Sequence, residues 1–513
     1  MPGVASFPPP IRGLLRAAAY PHAVAAVRVV ETHISWVLLT GQYAYKIKKP
    51  VKLHFLDFST LALRRAACQE EVRLNRRLAP ELYLGVVPIA GDAANPRIDG
   101  AGPPFEYAVR MREFPQEAQL DRRLAAGKLS GDELEAFGRR LAAFHAQAAS
   151  AAADDEYGAP ERVHAPVREN FRDLQADERV AADRPTLSAL RDWSEREFER
   201  RCATLAARQR ASRVREGHGD LHLANLAWVG GEVLAFDCIE FSPALRWGDV
   251  TADVAFLFMD LRFRGRADLA SRFLNGWCEA CGDYDAVRML RYFVVYRALV
   301  RAKIALLRGG ADAAATASAY IDFAQRWSAP PRPRLILMHG LSGSGKTAVS
   351  GALLERLPAI RVRSDVERKR LHGLAAHACS GSAVGRGIYT AAASDRTYAR
   401  LAEAAAAALD GGETAIVDAA FLQRAQRERF YALAREYGVP CAVVACRAPT
   451  AELERRVSAR AQAQRDASEA DCQVLAAQLA QVEPLEPGEC ARLIGVDTAR
   501  PVDYAALTRT LGD

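Results

Sequence analysis

The sequence predicts two domains of different fold class, an α+β domain over residues 1–327 and an α/β domain over residues 335–513. Three observations support this division. A chain of 513 residues is too long for one hydrophobic core. The stretch "RWSAPPRPR" at 326–334 carries closely spaced prolines, which favour an extended linker, assigned here to 328–334. Strand patterns open the first part, whereas strand and helix patterns alternate in the second.

The front domain begins with a hairpin pattern and continues mostly as helix. "WVLL", "TG" and "QYAYKIKK" form two apolar runs around a turn, and Lys46 and Lys48 share one face of the second strand. A helix is predicted over 63–78, "LRRAACQEEVRLNRRL". Helical periodicity then covers about 130–215 and returns after residue 250.

The back domain alternates short apolar runs with helical segments. This order is typical of a parallel sheet covered by helices. The five runs, taken as strands, lie at 335–338, 360–364, 414–417, 441–446 and 492–496.

Composition limits the partners that we expect. Half of the residues are apolar and 26% are charged, as in ordinary globular proteins. No apolar run approaches the roughly 20 residues that cross a bilayer, and the N-terminus lacks the pattern of a secretory signal. We therefore expect a cytoplasmic protein with no membrane partner.

The net charge of +7 comes without a dense basic block, so we do not expect nucleic-acid binding. The oligomeric state stays open.

The stretch "GLSGSGKT" at 340–347 matches the phosphate-binding pattern G-x-x-x-x-G-K-[ST]. An apolar strand precedes it and an amphipathic helix follows, which is the context that this pattern requires. Backbone N–H groups of such a loop face phosphate oxygens, the lysine reaches the outer phosphates, and the threonine hydroxyl binds Mg²⁺. The predicted nucleotide-binding residues are Gly340, Ser342, Gly343, Ser344, Gly345, Lys346 and Thr347, with Thr347 also a metal ligand.

Two aspartates end neighbouring apolar runs of the back domain, where ligands of open α/β sheets bind. Asp418 is placed to support the metal. Asp365 is placed to act as general base on an acceptor hydroxyl, although a helix N-cap would also need only a carboxylate there. Arg368, one turn later, is a candidate for an anionic substrate group. Arg460 belongs to an arginine-dense helix that is either a lid over the transferred phosphate or a solvated face.

The back half resembles the P-loop small-molecule kinases, including zeta-toxin-like and chloramphenicol-phosphotransferase-like enzymes. The resemblance rests on the phosphate-binding loop and on "SDVER" at 364–368. It implies an α/β P-loop kinase fold with a parallel sheet.

A second candidate site surrounds "HGDLHLAN" at 218–225. The Gly-Gly pair after "LAWV" predicts a tight hairpin with "EVLAFD". Counting outward from the turn, Val229 faces Glu232, and Asn225 comes one step from facing Asp237. Amide and carboxylate oxygens are ligands suited to Mg²⁺, so Asn225 and Asp237 are predicted to hold the metal. Asp220, in the preceding loop, is predicted to be the catalytic base.

This arrangement resembles the aminoglycoside phosphotransferase and choline kinase branch of the bilobal protein-kinase-like fold. Protein kinases carry their catalytic Asp, Asn and metal-binding Asp in the same order, and "HGD" replaces "HRD" here. The resemblance implies that Lys46 binds phosphate and that Glu71 is its partner, with Lys48 and Glu70 as the rivals. "GDVTADVAFL" at 248–257 also resembles the family, and Asp249 is expected to brace the catalytic loop. The glycine-rich loop that covers nucleotide phosphates is not present in "ETHISWVLL".

The whole chain resembles a bacterial family described as bifunctional aminoglycoside phosphotransferase and ATP-binding proteins, through "YKIKKPVKLHFLDFSTL" and "FDCIEF". The implied function is ATP- and Mg²⁺-dependent transfer of the terminal phosphoryl group to hydroxyls of small molecules, at two nucleotide sites. The alternative is a non-catalytic kinase-fold sensor joined to a P-loop ATPase or to a nucleic-acid end kinase.

Overall fold

A six-stranded sheet forms the first layer of the front domain, in the order β1-β2-β3-β8-β6-β7. The computed structural model describes residues 7–53, 56–376, 378–382, 386–463, 467–486, 488–489 and 492–512. β3 lies inside the sheet, antiparallel to β2 and to β8. The strands and helices of this layer are α1 (Pro9–Gly13), β1 (Arg28–Glu31), β2 (Ser35–Leu39), β3 (Tyr43–Lys48), β4 (Lys52–Leu53), β5 (Leu56–Asp57), α2 (Leu61–Asn75), β6 (Tyr83–Gly91), β7 (Pro96–Ile98) and β8 (Glu106–Arg112).

Helices build the second lobe of the front domain, as the periodicity predicts. Within it, two short pairs of antiparallel strands flank the loop at 218–225. The first pairs Val229 with Glu232 and Leu226 with Ala235, which confirms the register predicted from the Gly-Gly turn. The elements are α3 (Leu120–Ala125), α4 (Gly131–Gln147), α5 (Pro160–Ala176), α6 (Arg184–Arg210), β9 (Val214–Glu216), β10 (Leu226–Val229), β11 (Glu232–Ala235), α7 (Pro243–Arg246), β12 (Trp247–Asp249), α8 (Val250–Phe263), α9 (Ala267–Cys281), α10 (Ala286–Arg308) and α11 (Ala313–Ser328).

The back domain contains a five-stranded parallel sheet in the order β14-β15-β13-β16-β17. The fold class predicted from the alternating pattern is therefore confirmed, and each of the five apolar runs supplies one strand. The elements are β13 (Leu335–His339), α12 (Lys346–Leu354), β14 (Ala359–Arg363), α13 (Ser364–Leu371), α14 (Ala391–Asp410), β15 (Thr414–Asp418), α15 (Arg424–Glu436), β16 (Cys441–Arg447), α16 (Thr450–Ala463), α17 (Cys472–Gln481), β17 (Arg492–Asp497) and α18 (Tyr504–Gly512).

The two domains share an extensive contact on either side of the connection at 329–334. Buried apolar side chains of α8 to α11 continue into those of β13, β15 and α14 as one core. On α9, the Asn275 side chain accepts from the Arg361 N–H at 2.7 Å and donates to the Ala359 carbonyl at 2.8 Å. At the end of α14, Asp410 forms ion pairs with three arginines of the helical lobe, Arg200, Arg201 and Arg288. Among the helices that the structure describes, none is long and apolar enough to cross a membrane.

Candidate functional sites

The front site is organised around Lys46 on β3. Its Nζ lies 2.8 Å from Glu71 Oε1 on α2 and also contacts Asp237, which follows β11. Burial alone would lower the pKa of Lys46, but Asp237 and Glu71 outweigh it and raise the pKa well above its usual value. The amine therefore stays charged inside the protein. Its ion pairs connect β3 with α2 and with the segment after β11.

Lys48 contacts the other oxygen of Glu71 and then Glu240. Lys48 and Glu71 are completely buried. Both lysines thus reach Glu71, but only Lys46 contacts Asp237, the predicted metal ligand. Glu70 turns the other way, with Oε1 at 2.7 Å from both Arg73 and Arg246.

Asp220 lies beside Asn225 at the start of the hairpin. The Asn225 amide nitrogen donates to Asp220 Oδ2 at 3.0 Å and to the Asp220 carbonyl at 2.9 Å. The amide oxygen is then the Asn225 atom that can hold a cation. Burial opposes ionisation of Asp220, yet His222 and Arg301 lower the pKa of this carboxyl below its usual range. Asp220 is therefore ionised and able to accept a proton.

Asp237 sits in a left-handed turn, with φ of 62°, a conformation that aspartate tolerates better than most residues. Its N–H donates to the Tyr83 hydroxyl at 3.1 Å, and the preceding Phe236 N–H donates to the Asn225 carbonyl at 3.0 Å. Burial opposes ionisation of Asp237, but Lys46 outweighs it and lowers the pKa. An ionised carboxylate and an amide oxygen on paired strands fit Mg²⁺ by the chemistry of the donors.

The residue that braces the loop at 218–225 is Asp253, not Asp249 as the resemblance implied. Asp253 accepts from the His218 N–H at 2.7 Å and from the Gly219 N–H at 2.9 Å. Asp249 instead caps α8 through the Thr251 N–H and pairs with Arg208 at 2.6 Å. The two aspartates lie four residues apart, and only the one inside α8 faces the loop.

The back site is a glycine cradle between β13 and α12. Gly340, Gly343 and Gly345 all have positive φ, of 141°, 80° and 84°. A Cβ at Gly340 would lie 2.4 Å from the Cys446 carbonyl, and one at Gly343 would lie 2.8 Å from the Leu453 carbonyl. Only glycine fits this path, which lets the backbone of the loop approach a phosphate closely.

Lys346 closes this cradle by donating to the carbonyls of Gly340 at 2.7 Å and Leu341 at 2.9 Å. Burial lowers its pKa, and Asp418 partly offsets the lowering. Asp418 ends β15 and accepts from the Ser350 hydroxyl at 3.0 Å. Thr347 lies at the start of α12 and lines the same cavity as Asp418. A hydroxyl and a carboxylate beside a phosphate cradle fit Mg²⁺.

A cavity of about 740 Å³ extends from this cradle, and Asp365, Arg368 and Arg460 line it. α13 begins at Ser364 with Arg363 as its N-cap, so Asp365 is not the capping residue. Arg368 lies over the Tyr389 ring at 5.1 Å, and Arg460 donates to the Ala470 carbonyl at 3.1 Å. Among the described residues, the Nε atoms of both arginines are buried without a hydrogen-bond partner.

Ser342 and Ser344 complete the predicted loop. The Ser342 N–H donates to the Gln478 side chain at 2.8 Å, so α17 closes one side of the cradle. The Ser344 hydroxyl is buried and finds no partner within the described part of the chain.

Sequence reasoning missed several residues of both sites. They lie outside the short motifs and reach the sites by tertiary packing. Glu240 had the clearest signal, because it stands three residues after Asp237 in a stretch that resembles the family. The missed residues are Glu240, Asp253 and Arg301 at the front site, and Tyr389, Arg456 and Gln478 at the back site.

Comparison with known proteins defines the class first. Residues 54–290 match the family model described as phosphotransferase enzyme family, and residues 335–485 match the one described as AAA domain. The protein therefore joins a kinase-like phosphotransferase domain to a P-loop kinase domain. The chain belongs to a family that includes uncharacterized proteins of Mycobacterium tuberculosis and Mycobacterium bovis. It is 30% identical to each over 459 residues, which is 88% of this chain and 90% of each relative.

Similar solved structures include two kinases. A choline/ethanolamine kinase family protein from Mesorhizobium loti is 11% identical with a TM-score of 0.38, and the match covers 64% of this chain and 93% of that chain. A gluconokinase from Sinorhizobium meliloti is 23% identical with a TM-score of 0.26, and the match covers 35% of this chain and 90% of that chain.

Proposed function

We propose that the protein is an ATP-dependent phosphotransferase with two nucleotide sites, each transferring the terminal phosphoryl group to a hydroxyl of a small molecule. One observation supports this most directly. The predicted base Asp220 contacts Asn225, while the other metal-ligand candidate, Asp237, contacts Lys46. A base, two metal ligands and a phosphate-binding lysine are the groups that a kinase needs in one place.

At the front site, the acceptor hydroxyl oxygen attacks the γ-phosphorus, and the bond from that phosphorus to the β–γ bridging oxygen breaks. ADP leaves with that oxygen, and the hydroxyl proton passes to the Asp220 carboxylate. Lys46 would turn from Asp237 to the phosphates, while Glu71 keeps it in place. When bound, Mg²⁺ on Asn225 and Asp237 would neutralise phosphate charge.

At the back site, Lys346 would leave the loop carbonyls for the outer phosphates. Thr347 and Asp418 would hold Mg²⁺, and Asp365 would accept the acceptor proton. The buried Nε groups of Arg368 and Arg460 gain hydrogen bonds if an anionic acceptor group or the transferred phosphate lies between them, which removes the cost of unpaired buried donors.

In a second candidate function, only the back domain transfers phosphate and the front domain is not catalytic. β1 ends at Glu31 and β2 begins at Ser35, so residues 32–34 form a turn with no glycine. The Thr32 N–H donates to the Ser35 carbonyl at 2.9 Å, which keeps this turn tight. So short a turn favours a front domain that senses a ligand without phosphate transfer.

Nucleotide-binding stoichiometry tests these proposals. Calorimetry with a non-hydrolysable ATP analogue and Mg²⁺ should find two sites, one lost in Lys346→Ala and the other in Asp237→Ala. The controls are Lys128→Ala and Asp312→Ala, at exposed positions. A single site, lost only in Lys346→Ala, would support the sensor function.

A further inference from the structure

The helical lobe presents arginine, not carboxylate, to the catalytic base of the front site. His222 Nε2 lies 3.4 Å from Asp220 Oδ2, and Arg301 Nη1 on α10 lies 3.3 Å from the same Nε2. His222 Nε2 therefore lies between the guanidinium of Arg301 and the carboxylate of Asp220. Arg301 therefore stands one imidazole away from the base, and this contact of its guanidinium is not with a carboxylate.

Several arginines of the helical lobe pair with carboxylates, and within the described residues Arg301 is not one of them. Arg208 binds Asp249 and Asp283, and Arg264 binds Asp260 at 3.0 Å. Within the described residues, neither Arg301 nor Arg308 has a carboxylate within ion-pair distance, and Arg301 Nε is buried without a partner. The contacts of Arg301 are with the His222 imidazole and the Tyr320 hydroxyl, so an anionic ligand would not have to displace a carboxylate from it.

Arg308 follows Arg301 by two helical turns, so both project from one face of α10. Arg308 is exposed. Partial burial of its side chain lowers the pKa of Arg308, and the nearby charge of Arg301 lowers it further. The carboxylate of Asp220 and the hydroxyl of Tyr320 act in the opposite direction. Arg308 is thus within electrostatic range of the catalytic carboxylate.

The arginine face of α10 lies on the side of Asp220 where we expect the acceptor and not the nucleotide. Lys46 and Asp237 contact each other on the sheet side of Asp220, where the nucleotide phosphates are proposed to lie. In-line transfer requires the acceptor hydroxyl to approach from the opposite side. Asp260, a carboxylate of the same lobe, already accepts from Arg264 and from the Leu223 N–H, both at 3.0 Å.

We propose that Arg301, assisted by Arg308, binds an anionic group of the acceptor, a phosphate or a carboxylate, at the front site. Arg301 can leave His222 without unpairing a carboxylate, so recruiting it costs little. The same charges repel a cationic acceptor. The inference rests on the proposed function, because it assigns the substrate class of the same site.

The test uses full-length protein carrying Lys346→Ala, so that only the front site turns over ATP. ADP production is measured with glucose 6-phosphate, gluconate, glucose and glucosamine, which are phosphorylated, carboxylated, uncharged and cationic sugars. We expect one of the anionic sugars to be preferred. Adding Arg301→Gln should raise its KM roughly tenfold or more, as expected for losing a hydrogen bond to a charged group, without changing the KM for ATP.

Arg326→Gln, an exposed arginine on α11, is the control for charge and should have no effect. The phosphate and carboxylate arms distinguish the two anionic groups. Preference for glucosamine, equal behaviour of all four sugars, or an unchanged KM in Arg301→Gln overturns the inference. Loss of front-site ATP binding in the Lys346→Ala protein, seen by calorimetry, would instead contradict the proposed function.

Discussion

Two lysines on one face of β3 share Glu71 but differ in their second carboxylate. Lys46 forms an ion pair with Asp237 and Lys48 forms one with Glu240, and both carboxylates lie in the segment after β11. The ion pair of Lys48 and Glu240 therefore fixes the position of the segment that carries the predicted metal ligand. In the proposed function Lys48 is a positioning residue, whereas Lys46 contacts the predicted metal ligand Asp237 directly.

We expect Lys48→Met to destabilise the protein by about 3–5 kcal/mol, since removing one partner leaves buried carboxylates unpaired. Combining it with Glu240→Gln should recover part of that loss, because the second change removes one of those carboxylates. Thermal unfolding of both single variants and of the double variant measures this coupling. Additive losses would mean that the pair is not coupled.

Sequence patterns predicted which residues of the front site lie near one another, but they did not predict which of them are in contact. Alternation along β3 places Lys46 and Lys48 together, and the Gly-Gly turn places Asn225 near Asp237. The family resemblance pointed to Asp249, which ends β12, whereas Asp253 lies inside α8 four residues later. Only the packing of α8 against the loop decides that Asp253 faces His218 and Gly219.

At the scale of elements, the phosphate-binding loop depends on the helix that covers it. Gly343 lies against the Leu453 carbonyl of α16, and Arg456 of that helix donates to the Gly343 carbonyl at 3.2 Å. The motif predicted the loop between β13 and α12, since its glycines allow few other conformations. It could not predict the contact with α16, which depends on where a distant helix packs.

Gly343→Ala should lower nucleotide affinity at the back site by roughly tenfold or more, because a loop displaced from its phosphate loses charge-assisted hydrogen bonds. Gly373→Ala is the matched control. Gly373 also has positive φ, of 71°, but a Cβ there meets nothing within 4 Å. Calorimetry with the ATP analogue compares the two variants, and equal affinities would contradict the proposed contact.

At the scale of the whole molecule, the proline-rich stretch predicts where one domain gives way to the next but not how they meet. Arg291 donates to the carbonyls of Trp327 and Ala329, both at 2.5 Å, so the start of the connection is held against α10. Besides the ion pair of Glu279 with Arg363, polar contacts between the domains include the amide of Asn275 on α9 and the carboxylate of Asp410 at the end of α14. Neither residue has a local signature, which is why the interface could not be read from the sequence.

Glu413, between α14 and β15, makes this interface sensitive to pH. Burial raises the pKa of Glu413 to about 7, although Arg262 and Arg291 oppose it. Its folded pKa exceeds the unfolded value of 4.5, so its stabilising contribution is complete below pH 4.5 and is lost as the pH rises through 7. The free energy of unfolding should fall by up to about 3 kcal/mol across this range.

Glu413→Gln should remove this part of the pH dependence, because glutamine is of similar size and does not ionise. Urea unfolding of both proteins at pH 5.5 and pH 8 measures the difference. Parallel pH profiles for the two proteins would show that Glu413 ionises freely in the folded state.

The amide of Asn275 has a consequence for the solubility of the back half. β14 is an edge strand, and Asn275 satisfies its Arg361 N–H and Ala359 carbonyl as a neighbouring strand would. Unpaired edges attract strands of other chains. The front domain therefore covers this edge of the sheet, and a back domain released from it would expose β14 to pairing with strands of other chains.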